Sequence, residues 1–177
     1  MELAAALLAT SCYMRYGFSL KLLWSGLFTL SLLPVFFIDL DHQIIPDEID
    51  LPGIGVGLLL SHWTIGLIPS LIGTLLGGGC FLLLGLLASR ILKREALGGG
   101  DVKLMAMVGS FLGPVGVLIT TFLGSLLGAV VGSLWLKLSG KGRHTPIPFG
   151  PFLVIGAYIS LFWGQEIFKW YLSWGMG

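Results

Sequence analysis

The sequence predicts an all-α polytopic membrane protein, a bundle of about seven transmembrane helices in a single domain over residues 1–177. Three observations carry that expectation. Apolar residues make up 55% of the chain and charged residues only 11%, whereas a soluble domain carries about 25% charged residues. The mean hydropathy is +0.95, more apolar surface than a core of this size can hide. The charges are also clustered, with no Lys, Arg, Asp or Glu from Leu51 to Ser89 or from Leu104 to Leu136.

A spanning helix needs about 20 apolar residues, within a range of roughly 17–25. On that basis the expected spans are 3–20, 22–38, 49–66, 69–90, 102–113, 115–137 and 146–168. The first contains Arg15 near its end, whose stem can snorkel toward a headgroup. It has neither the basic leader nor the small-residue cleavage site of a removable signal peptide. The second runs without charge into Asp39. The third and fourth form a hairpin, because the charge-free stretch from Leu51 is too long for one helix, and its turn belongs between Ser61 and Ser70. The fifth and sixth form another hairpin, broken near Gly113-Pro114.

Gly73 with Gly77, and Gly124 with Gly128 and Gly132, have the spacing that lets helices approach closely in lipid. Packing within the bundle is their expected use, with a homo-oligomer interface as the other. Cys12 and Cys80 sit singly in apolar runs and are expected to be buried small hydrophobes.

Alternate loops fall on opposite sides of the bilayer. One side holds the island Asp39–Asp50, the loop Arg90–Lys103 and the loop Lys137–His144, with seven Lys and Arg between them. The other holds only Arg15, Lys21 and Lys169. Cytoplasmic loops carry the excess of positive charge, so the N-terminus, the acidic island and Asp101 are expected to face the cytoplasm. The surroundings are lipid, and no nucleic-acid partner is expected.

The acids are not equivalent. Asp47 precedes the third helix with Asp50 three residues on, which suits an N-terminal cap and a favourable helix dipole. Glu48 and Asp50 read as a solvated face. Asp39 ends an apolar helix where the dipole disfavours an anion, so helix stability gives no reason for it. Asp41 lies two residues further and closer to water. Asp101 can cap a helix starting at Val102, yet capping does not explain the three glycines before it. His42, His62 and His144 share no ligand spacing, and no metal site is expected. Should Asp39 and Asp101 converge, they could share a proton and hold a water between them, the chemistry of an aspartic protease. Periodicity alone cannot show that they converge.

Three stretches resemble the type IV prepilin peptidases, aspartyl proteases of the G-x-G-D intramembrane type. They are Phe37-Ile38-Asp39-Leu40-Asp41-His42-Gln43-Ile44-Ile45-Pro46-Asp47, Gly98-Gly99-Gly100-Asp101-Val102-Lys103-Leu104-Met105-Ala106, and Pro148-Phe149-Gly150-Pro151-Phe152. The resemblance covers the chain from about Glu2 onward. It implies an endopeptidase that removes the basic leader of prepilins and pseudopilins at the cytoplasmic face of the bacterial inner membrane. It also implies N-methylation of the new terminus from S-adenosylmethionine, while proteolysis itself needs no cofactor. Asp39 and Asp101 then look like the catalytic pair, with Asp41, Asp47, Gly98, Gly100, Lys103, Pro148 and Gly150 binding substrate or supporting them. Lys103 would dock an acid, act as a cation near Asp101, or equally snorkel to the interface.

Family members of bacterial type usually carry, before this region, a helix and a cytoplasmic domain with paired C-x-x-C zinc ligands. This sequence begins where they enter their second helix, and it has no C-x-x-C. A short or truncated member without zinc is therefore expected, with methyl transfer left open. The other functional readings are a proton-coupled transporter or channel using the acids, and a membrane scaffold of a pilus or secretion system. Acids at one face, without a visible inverted repeat, speak against transport.

Overall fold

A computed structural model of the chain describes residues 1–93, 97–139 and 148–175. Among the described residues there are six helices and no strand: α1 (Glu2–Tyr16), α2 (Leu20–His42), α3 (Asp47–Ser61), α4 (Leu67–Leu92), α5 (Gly99–Ser139) and α6 (Gly150–Gly175). Leu20–His42, Leu67–Ile91, Gly99–Trp135 and Gly150–Trp174 are each long and apolar enough to cross a membrane. A multi-pass helical membrane protein results.

Six helices stand where about seven were expected, and the difference lies in α5. Gly113 within it has φ 69° and ψ −171°, outside the helical region, and Pro114 follows. The left-handed φ is open to glycine at no steric cost, and a proline cannot supply the N–H that would continue the ladder. The chain reverses at this point. Asp101 at one end of α5 lines a cavity with Phe149, and Gly128 near the other end packs against the same Phe149. Gly113 and Gly116 line a separate cavity with Tyr16, Trp24 and Gly164. The expected fifth and sixth helices are thus the two arms of α5, joined without a loop.

Glycines set how closely these arms pack. A Cβ on Gly73 of α4 would lie 2.7 Å from the Cα of Gly113, and one on Gly77 2.8 Å from the Met105 carbonyl carbon. On the second arm, a Cβ at Gly124 would meet Leu153 Cδ2 of α6 at 2.9 Å. Both small-residue stripes are therefore used within the bundle, α4 against the first arm and α6 against the second.

Phe28 and Phe111 stack at the centre with ring centroids 4.8 Å apart. Leu32, Val35, Leu104, Met105, Val108, Leu153 and Ala157 are fully buried around them. Polar interior groups are tied between helices: Ser70 Oγ donates to Ser110 O at 2.5 Å, and Tyr158 Oη to Thr29 O at 3.0 Å. Such bonds are worth about 0.6 kcal/mol each in lipid. At the far end Arg15 of α1 pairs with Glu166 of α6. Leu82, Leu83, Leu86 and Leu87 of α4 point outward, as a lipid-facing surface requires.

Two local expectations are corrected. Cys12 is buried, but Cys80 is exposed because it lies on the outward face of α4. The α5 helix begins at Gly99, so Asp101 stands inside its first turn and does not precede it. Arg94, Glu95, Lys141, Arg143, His144 and Pro146, which carry part of the expected basic loops, lie outside the described residues.

Candidate active site

Asp39 sits in the last turn of α2, one turn before the chain leaves the helix at Gln43. Gln43 takes the left-handed conformation at φ 55°, and its N–H returns to Asp39 O at 3.0 Å. The apolar run Val35-Phe36-Phe37-Ile38 carries the carboxylate into the bundle, where Asp39 is only 5% exposed. Its partner is the backbone N–H of Gly150, at the start of α6. The first N–H groups of a helix have no acceptor of their own, and the helix dipole favours an anion there. Asp39 is therefore seated against the N-terminus of another helix, which answers why an acid ends α2.

Asp101 arrives from the other side. It lies in the first turn of α5 and is 8% exposed, with its carboxylate bonded by the Gly98 N–H and its own N–H donating to Gly98 O at 3.2 Å. The two carboxylates are close enough to interact electrostatically. They line one cavity of about 630 Å³ together with Gln43, Ile44, Ile45, Leu97, Gly98, Gly99, Gly100, Pro148 and Phe149. Two nearly buried acids facing a shared space can hold a water between them, one accepting its proton while the other donates.

Ile45 is the wedge that shapes this space. A Cβ on Gly100 would lie 2.7 Å from Ile45 Cβ, and one on Gly150 would lie 3.1 Å from Ile45 Cδ1 and 2.5 Å from Asp39 Oδ2. The glycines leave room for Ile45 between the Asp39 and Asp101 arms. Ile45 carried no role in the sequence, because Leu40, Ile44 and Ile49 are apolar in the same island and only the structure shows that Ile45 is buried while Ile44 is exposed. Phe149 and Leu97 carried none either.

The remaining candidates divide. Gly98, Gly100 and Pro148 line the cavity, and Gly150 holds Asp39. Asp41 is exposed and does not line it. Asp47 does not cap α3, whose capping position is Pro46 and has no side-chain bond. Its carboxylate instead accepts two bonds of 2.6 Å from Lys103 Nζ, which docks α5 on α3. Asp50 overturns the expectation of a solvated face: it is fully buried, and neither carboxylate oxygen has a hydrogen-bond partner. The i, i+3 step from Asp47 turns it toward α5 and away from water. Among the described residues no group of three His, Cys, Asp or Glu could hold a metal ion.

Known proteins resemble the chain in sequence. The chain is 36% identical over 180 residues to a prepilin leader peptidase/N-methyltransferase of Legionella pneumophila, covering 99% of the chain and 62% of that protein. It is 39% identical over 178 residues to the protein of that name from Pseudomonas aeruginosa, covering 98% and 60%, and 37% identical to the one from Aeromonas hydrophila, again covering 98% and 60%. The chain thus spans about three fifths of the length of the curated relatives it matches. No solved structure matches it. Residues 26–133, which carry Asp39, Asp101 and the glycine run, match the type IV leader peptidase family, and the chain belongs to that family.

Proposed function

We propose that this chain is an aspartic endopeptidase that releases the basic leader of prepilins and pseudopilins at the cytoplasmic membrane face, with Asp39 and Asp101 as its catalytic pair. The observation that carries the reading is the meeting of these two nearly buried carboxylates, from helices about sixty residues apart in sequence, on one cavity. One carboxylate takes a proton from the water that attacks the scissile carbonyl, and the other protonates the departing amine. Exposed Asp41 and Glu48 at the same end give a Lys- and Arg-rich leader an acidic approach. The apolar helix of the substrate would lie against the bundle, which brings the scissile bond to the height of the aspartates.

The matched relatives are also named as N-methyltransferases. The cavity at Asp39 and Asp101 has Phe149 as its aromatic face but no lining Lys or Arg among the described residues. Methyl transfer from S-adenosylmethionine is a separate activity, to be read with a labelled methyl donor on the same peptide.

Incubation of the purified chain with a prepilin peptide, followed by measurement of leader release, tests the reading. Asp39→Asn and Asp101→Asn are each expected to abolish release while the protein stays monodisperse. Retained cleavage in either variant removes that residue from the catalytic pair, and solute flux without cleavage would reinstate a transporter.

A further inference from the structure

Asp50 is a fully buried carboxyl with two unpartnered oxygens, and the chemistry above does not use it. A buried polar group without a partner costs about 1–3 kcal/mol, and more when it is charged. Its place follows from the register of α3 against the first arm of α5, which run parallel. Asp47 is paired with Lys103. Further along, a Cβ on Gly53 would lie 3.0 Å from Met107 Cγ, and one on Gly57 would lie 2.8 Å from Phe111 Cδ2 and 2.9 Å from Ser110 Cβ. Asp50 stands between Asp47 and Gly53 on that line, so it faces α5 between Lys103 and Met107. The charged groups that act on it are Asp47, Lys103 and Asp101, and Lys103 is the one cation among them.

We infer that Asp47 and Asp50 form a two-seat cradle for the Lys103 ammonium, with Asp50 as the inner seat and a positioning residue for the turn that carries Asp101. The outer seat is shallow: Lys103 and Asp47 side chains are 38% and 51% exposed, and ion pairs so placed are weak and exchange readily. The inner seat is fully buried and one helical turn further along α3, and the Lys103 charge already acts on it. Moving inward gives the orphaned oxygens their donor. Two acids on α3 then hold a residue two positions from Asp101, so α5 stays docked whichever seat is filled. The purpose of this tether rests on the reading of Asp101 as catalytic; the cradle itself does not.

The test is the reactivity of Lys103 toward an amine-acetylating N-hydroxysuccinimide ester, read site by site by mass spectrometry on the full chain in detergent, with exposed Lys93 as internal reference. In Asp47→Asn, Lys103 is expected to keep its protection relative to Lys93, because the ammonium moves to Asp50. In Asp47→Asn/Asp50→Asn it is expected to react about fivefold faster. Lys103 reacting like Lys93 in Asp47→Asn alone overturns the inference, and this comparison stands even where the double variant does not fold. Equal reactivity in the single and double variants overturns it too. Leader release is assayed on the same samples: protection that follows the expected pattern, in a wild-type chain that cuts no prepilin peptide, supports the cradle and sinks the protease reading instead.

Discussion

Gly150 does two things that only a glycine can combine. Its N–H holds the Asp39 carboxylate, and its missing side chain leaves the space that Asp39 and Ile45 occupy. A methyl group there would sit 2.5 Å from Asp39 Oδ2 and 3.0 Å from its Cγ, so the carboxylate must move. A displacement of about 1 Å at a reacting group costs about a hundredfold in rate. Gly150→Ala is therefore expected to lower leader release by about that factor with its helical circular dichroism unchanged. A wild-type rate would mean that the position of Asp39 does not depend on this glycine. At this scale the sequence was legible only where a residue contradicted its surroundings. Asp39 stood out as an acid at the wrong end of a helix, and the structure supplies the missing reason in the N-terminus of α6. Asp50 did not stand out, because an acid in a first helical turn already has an ordinary explanation. Only the packing of α3 on α5 reveals that it is buried.

Among the elements, α5 decides whether a site exists at all. Its first arm brings Asp101 up to Asp39, and its second arm carries α6, whose first residue holds Asp39 in place. Both depend on the reversal at Gly113. With φ at 69° and ψ at −171°, a region open essentially to glycine alone, an alanine there costs about 1–3 kcal/mol, although the nearest atoms leave room for its Cβ at 3.5 Å. Gly113→Ala is expected to lower the thermal unfolding midpoint in detergent by several degrees. Cleavage at the opposite end should persist below that midpoint; an unchanged midpoint would show that the turn adapts without strain. The hairpins themselves were readable from charge-free runs too long for one helix and from the Gly113-Pro114 break. The lateral neighbours of those hairpins were not, since the length of a run says nothing about what packs beside it. The pairing of α3 with α5 was equally hidden, because Gly53 and Gly57 acquire meaning only beside Met107 and Phe111.

Across the whole molecule, the ends of the bundle differ in charge, and that difference carries the proposed orientation. In the sequence, the segments 39–50, 90–103 and 137–144 hold seven Lys and Arg against three in the rest of the chain, and loops rich in Lys and Arg stay in the cytoplasm. The acids of the site lie at the same end, so the rule concerns the cations and not the net charge. A leader peptide rich in Lys and Arg would be held back by the same bias, on the side where Asp39 and Asp101 are placed. Single cysteines at Ile44, beside the site, and at Trp63, in the turn between α3 and α4, test this. Both positions are exposed. The native cysteines interfere little: Cys12 is buried, and Cys80 lies within the apolar α4 span, where a charged maleimide finds little water. In intact cells an impermeant maleimide is expected to label Trp63→Cys and to spare Ile44→Cys until the membrane is opened. The reverse pattern would put the aspartates outside, away from any cytoplasmic leader, and the proposed substrate would have to be abandoned even if both carboxylates proved catalytic.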